Sequence, residues 1–530
     1  MMANKFIVVS FVMAWMTIVS SISAQEHDAV VIQAIKEEGL QRSQVMDVVG
    51  WLSDVYGPRL TGSPAIEEAK KWAMTRLQQW GADNVHEERF PFGRGWSIER
   101  FHAHMTEPQI MPLIGFPKAW SSSTKGTVTA DVVSIDIKTR QDFAQYRGKL
   151  LGKIVLPQLA REVWMLEGEL VLRMDDNLLQ KAEVPIDRTS ARTGYASPRM
   201  TSTFLEELRQ FYVDEGVVAV IDRGSDVFMV NGAPSGSRLS WPTQRTDGGT
   251  VFVGRGGSWD KDAGIVVPSA TIAVEHYNRM VRLLERGLKV RVEINISARF
   301  HEEEETLNGF NIIGEIPGSD LAHEIVILGA HFDSTHAATG ATDNAAGTAA
   351  MMEAVRILKA VGVVPRRTIR IALWGAEEQG LLGSREYVRH HFSDRGAGLR
   401  KPEHALLSAY YNLDNGAGRV RGLWLQDNDA VGRIIEPWLS QLADLGVSTL
   451  GLRSPTGTDH ISFDEVGLPG FQFMQDRLEY NSRTHHSNMD FFDRVQKEDV
   501  IQMAIVAAVF AYKTAMLDER FPRKESSIRQ

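Results

Sequence analysis

The sequence of 530 residues contains no cysteine. Disulfide bonds, cysteine metal ligands and a cysteine nucleophile are therefore excluded. Any bound metal must be held by His, Asp and Glu side chains, and such a mixture of nitrogen and oxygen ligands is typical of zinc. Without disulfides, a large hydrophobic core has to stabilise the chain, and the length predicts two or three domains.

The sequence also lacks an excess of basic charge. It has 58 Lys and Arg residues against 67 Asp and Glu residues, a formal net charge of −9. Because Lys and Arg do not cluster, a nucleic-acid partner is not expected. No Gly-x-Ser-x-Gly motif follows a predicted strand, which argues against a serine hydrolase built on a nucleophile elbow.

Long apolar runs are confined to the N-terminus. Lys5 precedes an apolar stretch over residues 6–19, and small residues then lead to Ala24. This pattern predicts a signal peptide over residues 1–24, so the protein is expected to be secreted or periplasmic and free of the membrane after cleavage. An uncleaved anchor is the alternative, although the run is shorter than the roughly 20 residues that span a bilayer. No other segment is predicted to span one.

The pattern of apolar residues changes along the rest of the chain. Residues 28–82 are predicted to be helical, with Val55 among the apolar positions of the first helical face and a second helix over Pro64–Gln79. Glycine-bounded β-rich runs follow at Thr127–Ile135, Lys153–Leu156, Val217–Ile221 and Ile265–Val267.

Strands and helices alternate from residue 309 onward. The predicted strands are Phe310–Ile316, Ile325–Ala330, Thr368–Trp374, Leu406–Leu413 and Gly470–Gln475. The predicted helices are 344–360, 383–392, 430–444 and 498–516. Such alternation predicts an α/β fold with a mainly parallel, mixed sheet sandwiched by helices.

Candidate metal ligands follow several of these strands. They are His331, the pair Glu377-Glu378, Asp414 and His486. Because ligands of open α/β sheets bind outside the carboxyl ends of the strands, these side chains are predicted to meet at one edge. Asp343, just before a helix rich in small residues, adds a carboxylate that can bridge two metal ions.

Each candidate also has a simpler interpretation. Asp343 could be only a helix N-cap, and the Glu pair could be acidic residues favoured at a helix start. His485-His486 could be a surface pair. Asp459-His460 is either an outer neighbour of the site or part of a turn. The metal interpretation is preferred because all the candidate ligands are predicted to meet at the same edge of the sheet. In addition, the Asp333 carboxylate can orient His331 by accepting from the second nitrogen of its ring.

These motifs resemble the co-catalytic di-zinc exopeptidases, which include bacterial leucyl aminopeptidases and plasma glutamate carboxypeptidase (carboxypeptidase Q). The matching segments are His331-Phe-Asp333, Gly340–Gly347, Trp374–Glu378, Asp414, His486–Asp490 and Arg59–Pro64. The resemblance implies a phosphorylase/hydrolase-like zinc peptidase domain with an inserted β-rich, protease-associated domain. The implied ranges are 25–120 and 291–522 for the peptidase domain, 121–290 for the insertion and 523–530 for a polar tail.

The resemblance also implies a role for each site residue. His331 and Asp414 would bind one zinc ion, Glu378 and His486 the other, and Asp343 would bridge both. Glu377 would be the catalytic base and Asp333 would orient His331. His486 is preferred over His485 because the family ligand lies four residues before an acidic residue, here Asp490. A cis peptide is expected between Asp343 and Asn344.

The resemblance leaves the substrate open. An aminopeptidase acting on peptides is expected first, a dipeptidase or carboxypeptidase of the carboxypeptidase Q type second, and a non-catalytic, receptor-like homologue last. A one-zinc glutaminyl cyclase is a further alternative, but those enzymes lack an inserted β domain. Gly457 stands where the bacterial aminopeptidases have an oxyanion-stabilising Tyr, which leaves Tyr480 and His460 as candidates. Cobalt or manganese could replace zinc, and a homodimer fits the family.

Overall fold

The structure is a computed structural model that describes residues 28–163, 170–184, 202–224, 246–264, 266–303, 307–394, 398–455 and 457–524. The predicted signal peptide lies outside these residues and stays a prediction. The helices are α1 (28–42), α2 (Val45–Gly50), α3 (Pro64–Gln79), α4 (Phe143–Tyr146), α5 (Asp176–Glu183), α6 (Ser202–Asp214), α7 (Val274–Glu285), α8 (Ala346–Val361), α9 (Leu382–His391), α10 (Asp429–Leu442), α11 (His460–Asp464) and α12 (Lys497–Met516). The strands are β1 (Asp83–Pro91), β2 (Gly95–Glu107), β3 (Met111–Pro112), β4 (Gly115–Pro117), β5 (Val128–Ser134), β6 (Ile154–Leu156), β7 (Ala219–Asp222), β8 (Ser269–Ile272), β9 (Arg291–His301), β10 (Asn308–Ile316), β11 (Leu321–His331), β12 (Arg367–Trp374), β13 (Ser393–Asp394), β14 (Leu399–Arg400), β15 (Leu407–Asn412), β16 (Val420–Trp424), β17 (Thr449–Gly451) and β18 (Gly470–Gln475).

The central sheet has the strand order β1-β10-β12-β11-β15-β18-β16-β17. Its four middle strands, β12, β11, β15 and β18, are mutually parallel. Antiparallel pairing brings in β10 and β1 on one side and β16 on the other. The prediction of a mainly parallel, mixed sheet is therefore confirmed, and the carboxyl ends of the four parallel strands meet at one edge.

Helices cover both faces of the central sheet. On one face α2, α3, α8 and α12 share a single apolar core with the strands. On the other face α9 and the region of α11 pack over a second, aromatic-rich core. Helix α12 is long and apolar enough to cross a membrane, although no membrane-spanning segment was predicted there from the sequence. It is almost entirely buried against α8 and the sheet, which is why it is so apolar.

A second sheet has the order β3-β2-β9-β5-β6-β7-β8-β4. Its strands lie between residues 95 and 301, and α7 packs on it through Tyr277, Met280 and Val281. The run at Ile265–Val267 was wrongly predicted as β: the neighbouring strand β8 begins at Ser269, and Ile265 lies outside the described residues. The bounds of an inserted domain, 121–290, stay a prediction.

The first helical face was also predicted incorrectly at one position. Val45, Val48, Val49 and Leu52 are buried as expected, but Val55 is 56% exposed. Residues Trp51–Val55 form a π-helical turn rather than an α-helical one. The wider turn shifts the positions that follow, so that Val55 points away from the core.

Candidate metal centre

The predicted site residues converge at the carboxyl edge of the parallel strands. His331 is the last residue of β11, and Asp414 follows β15 by two residues. Glu377 and Glu378 follow β12, which pairs with β11 on its other side. His486 lies in the segment after β18. Sequence position and sheet order together therefore bring these four segments to one place.

The first cluster of ligand atoms is formed by His331, Asp343 and Asp414, all of them buried. His331 Nε2 lies 3.2 Å from Asp343 Oδ1 and 3.6 Å from Asp414 Oδ1. The three atoms lie within 4.8 Å of one another, which is close enough for one ion to contact all of them.

The second cluster shares Asp343 with the first. His486 Nε2 lies 2.8 Å from Glu378 Oε2 and 3.5 Å from Asp343 Oδ2. The ring of His485 stacks on that of His486 with centroids 3.8 Å apart, and its Nε2 is 3.9 Å from Asp343 Oδ2. Asp343 thus directs one carboxylate oxygen toward each cluster.

The chemistry of these residues fits a divalent cation. Asp343 Oδ2 and Glu378 Oε1 are buried, and neither accepts a hydrogen bond from any residue within the described ranges. A buried carboxylate oxygen without a donor is costly unless a cation is bound beside it. Two imidazoles and three carboxylates form a ligand set that suits zinc.

His331 has a defined tautomer. Its Nδ1–H donates to the backbone carbonyl of Asp333 at 3.0 Å, which leaves Nε2 for a metal ion. The Asp333 carboxylate is farther from Nδ1, at 3.6 Å, and instead accepts from the backbone amides of Glu377 and Glu378 at 3.1 and 3.3 Å. Asp333 therefore connects the His331 segment to the Glu pair, and its own main chain makes the shorter contact to the imidazole.

The turn that carries Asp343 is held from several sides. The peptide between Asp343 and Asn344 is cis, as predicted. The Asn344 side chain donates to the carbonyl of Leu413 at 3.0 Å and accepts from the amide of Gly347 at 3.1 Å. A Cβ at Gly347 would lie 2.2 Å from Asn344 Oδ1, so only glycine allows this approach. The turn that carries Asp343 is thereby fixed to the segment of Asp414.

Asp490 has a structural role that was not predicted from the sequence. Its carboxylate accepts from the backbone amides of Thr342 and Asp343 at 2.7 and 3.1 Å. Burial raises the pKa of Asp490 to about 7, while the Thr342 amide acts in the opposite direction. The acidic residue four positions after His486 therefore holds the turn of Asp343, although the sequence indicated only its spacing.

Arg59 is a second residue whose structural role was not predicted from the sequence. Its buried guanidinium donates to the carbonyls of Phe332, Leu52, Thr339 and Gly340 at 2.7–3.0 Å. Burial lowers its pKa to about 10, opposed most strongly by Asp490 and then by the site carboxylates. Arg59 therefore fixes the loop between His331 and Asp343 and adds positive charge behind an acidic site. The only sequence signal was its place in the family-like segment Arg59–Pro64.

The surroundings of Glu377 shift the pKa of its carboxyl group upward. Burial raises its pKa well above the usual range, and His331 acts in the opposite direction. The carboxylates of Asp414, Asp459 and Glu378 raise the pKa further. Bound cations would counter this repulsion, and a carboxylate with a pKa nearer neutrality is suited to acid–base catalysis.

The two candidates for an oxyanion donor differ in their surroundings. Tyr480 is buried at the site, with its ring centroid 4.7 Å from that of His485. His460 uses Nε2–H to donate to the carbonyl of Pro455 at 2.9 Å, and burial lowers its pKa to about 4. Tyr480 is therefore the better placed of the two. Asp459 is buried close enough to the site for His331 and Asp414 to influence its pKa.

Comparison with known proteins supports the same family. Residues 311–511 match the sequence profile of Peptidase family M28. Carboxypeptidase Q from Mus musculus is 26% identical over 487 residues, covering 92% of this chain and 88% of the relative. The crystal structure of a Peptidase M28 precursor from Shewanella amazonensis has a TM-score of 0.66 at 24% identity, covering 94% of this chain and 100% of that one. The structure of a zinc aminopeptidase from Bacillus subtilis has a TM-score of 0.52 at 20% identity, covering 88% and 93%.

The comparisons and the geometry agree on the fold and the class of enzyme. The two solved structures confirm the α/β architecture. Carboxypeptidase Q matches this chain over nearly its full length. Residues 311–511 therefore carry the sequence pattern of Peptidase family M28, and the chain is a metallo-exopeptidase.

Proposed function

We propose that the chain is an exported aminopeptidase that uses two zinc ions to release N-terminal residues from peptides. The observation that carries this proposal is the position of Asp343, whose two oxygens each lie beside one cluster of ligand atoms. His331 and Asp414 would hold one ion, and Glu378 and His486 the other. The similarity to a zinc aminopeptidase of Bacillus subtilis supports the choice of metal.

The chain's own residues would perform the proton transfers. Bound zinc would polarise the scissile carbonyl and lower the pKa of the attacking water. Glu377, with its raised pKa, would take the proton from that water and return it to the leaving amine. Tyr480 would supply a hydroxyl donor to the developing oxyanion. Asp333 would keep Glu377 in place through its hydrogen bond to the Glu377 amide.

Two measurements on the purified protein test the proposal: hydrolysis of a panel of peptide substrates and analysis of the bound metal. Peptides with a free amino terminus should be hydrolysed, and their N-acetylated counterparts should not. Metal analysis should find two zinc ions per chain, and a chelator should abolish turnover until zinc is added back. Equal cleavage of blocked and free peptides, or full turnover without metal, would contradict the proposal.

A second candidate is a dipeptidase or carboxypeptidase that recognises the substrate's free carboxylate. The similarity to carboxypeptidase Q spans most of both chains. Arg255 adds an observation from this chain: it is exposed by its accessible surface, and its guanidinium lies 4.5 Å from the centroid of the Trp259 ring. Partial burial lowers the pKa of Arg255, and Glu378 acts in the opposite direction. An accessible guanidinium that interacts electrostatically with a proposed zinc ligand could bind a substrate carboxylate through a bidentate pair of hydrogen bonds.

Arg255→Ala distinguishes the two candidates. If Arg255 binds the substrate carboxylate, the KM for free dipeptides should rise by about 10–100-fold, as expected for loss of a hydrogen bond to a charged group. The KM for the corresponding dipeptide amides should be unchanged. Arg286→Ala is the matched control, because Arg286 is an exposed arginine at the end of α7. An equal effect of Arg255→Ala on acids and amides would argue against carboxylate recognition.

A further inference from the structure

A segment associated with the second sheet lies along the loop that carries His486. The amide of Val253 donates to the carbonyl of His486 at 3.0 Å, and the amide of Asn488 donates to the carbonyl of Val251 at 3.1 Å. Phe252 and Ser487 form an antiparallel bridge between these two bonds. Residues 249–253, which we term the clamp segment, therefore pair with His486 and its next two neighbours as a short strand would.

The side chain of Asn488 completes this pairing. Its Oδ1 accepts from the amide of Val251 at 2.7 Å, and its Nδ2 donates to the carbonyl of Gly249 at 3.2 Å. Asn488 thus binds the clamp segment with its backbone amide and both ends of its side chain. An alanine at this position would keep the backbone bonds and lose both side-chain bonds.

The clamp segment is itself anchored next to the first cluster of ligand atoms. Val251 and Val253 are buried in an apolar group with Ala337. Ala337 lies in the loop between His331 and Asp343, and its neighbour His336 donates from Nε2 to the carbonyl of Pro117 at 2.7 Å. The clamp segment therefore contacts the loops on both sides of the site and can hold them at a fixed separation.

His486 needs such support from its surroundings. Its φ of 58° lies in the left-handed region, which is unfavourable for a residue with a side chain. Its side chain is 38% exposed, so that packing restrains it less than it restrains His331, which is 1% exposed. The hydrogen bond from Val253 to the His486 carbonyl is a direct restraint on this backbone conformation.

We propose that Asn488 is a positioning residue, which acts through the clamp segment to hold His486 in the geometry that binds zinc. This inference rests on the proposed function, because it takes His486 as a zinc ligand. Outer contacts that orient a ligand contribute to metal affinity without touching the metal. Loss of the Asn488 side-chain bonds should therefore weaken the site of His486 and leave the site of His331 and Asp414 unchanged.

The test is a zinc titration of metal-free protein in competition with a chelator of known affinity. The wild type should bind two equivalents tightly. In Asn488→Ala one equivalent should keep its affinity and the other should lose about 10–100-fold, the usual effect of removing an outer contact. Saturating zinc should restore kcat, which a global folding defect would not allow. The unfolding midpoint of the metal-free variant should stay close to that of the wild type.

Asn295→Ala is the matched control, since the Asn295 amide donates to Thr127 Oγ1 at 2.9 Å within the second sheet. It should leave both zinc affinities unchanged. If Asn488→Ala does not fold, Asn488→Leu replaces it, because leucine keeps the approximate size of the side chain and removes the same two bonds to Val251 and Gly249. Wild-type zinc affinity in the folded Asn488 variant, or an equal loss in Asn295→Ala, would overturn this inference alone. A wild type that binds no zinc would overturn the proposed function as well.

Discussion

Glu377→Gln is expected to lower kcat by about 10²–10⁴-fold, the contribution of a positioned general acid–base group. The amide keeps the size of the side chain but cannot accept the proton of the attacking water. Zinc content should not change, because Glu377 is proposed to bind no metal. The backbone amide of Glu377 still donates to Asp333, so the loop should keep its conformation. Steady-state kinetics with zinc analysis of the same sample measures both effects.

Glu386→Gln is the matched control for this substitution. Glu386 lies in α9, shortly after the same loop, and pairs with the exposed Arg389 at 2.6 Å. Such a surface pair contributes little, so activity and zinc content should both stay at the wild-type level. If Glu377→Gln retained near-normal turnover, the base would have to be another residue. If it lost zinc together with activity, Glu377 would be acting as a ligand.

The sequence predicted the site because its ligands lie next to strand ends. His331 and Asp414 follow apolar runs that match β11 and β15 within a few residues. In a parallel sheet, the end of each strand fixes which edge its following residue reaches, so a local pattern is enough to predict a distant contact. The helix Pro64–Gln79 was predicted at its true bounds from its apolar spacing. In the structure, Ser63 caps its start by accepting from the amide of Ile66.

The contacts that hold the ligands in place could not be predicted in this way. Asp490 binds the Asp343 turn from 147 residues away in sequence, and Arg59 reaches the carbonyl of Gly340 from 281 residues away. Nothing in their local patterns distinguishes them from surface residues. The burial of Val55 was also predicted incorrectly, because Trp51–Val55 form a π-helical turn although the spacing of the apolar residues is that of an α-helix.

Asp343→Ala is expected to have the largest effect on metal binding, because it removes the one carboxylate of the described residues that lies beside both clusters. His331 Nε2 is 3.2 Å from one of its oxygens and His486 Nε2 is 3.5 Å from the other. Both zinc affinities should therefore fall by more than the roughly 10–100-fold that an outer contact contributes. Activity should fall with the metal, and added zinc should restore little of it.

Thermal unfolding with and without zinc separates this effect from misfolding. A ligand at 100 times its Kd stabilises a native protein by about 2.7 kcal/mol, so zinc should raise the Tm of the wild type. Asp343→Ala should fold but lose most of this rise, and Asp343→Asn, which keeps the shape of the side chain, should do the same. Asp320→Ala is the control, because Asp320 is exposed and pairs with Arg366 far from the site. A full zinc-dependent rise in both Asp343 variants would mean that the carboxylate is an N-cap or a structural group rather than the bridge between two ions.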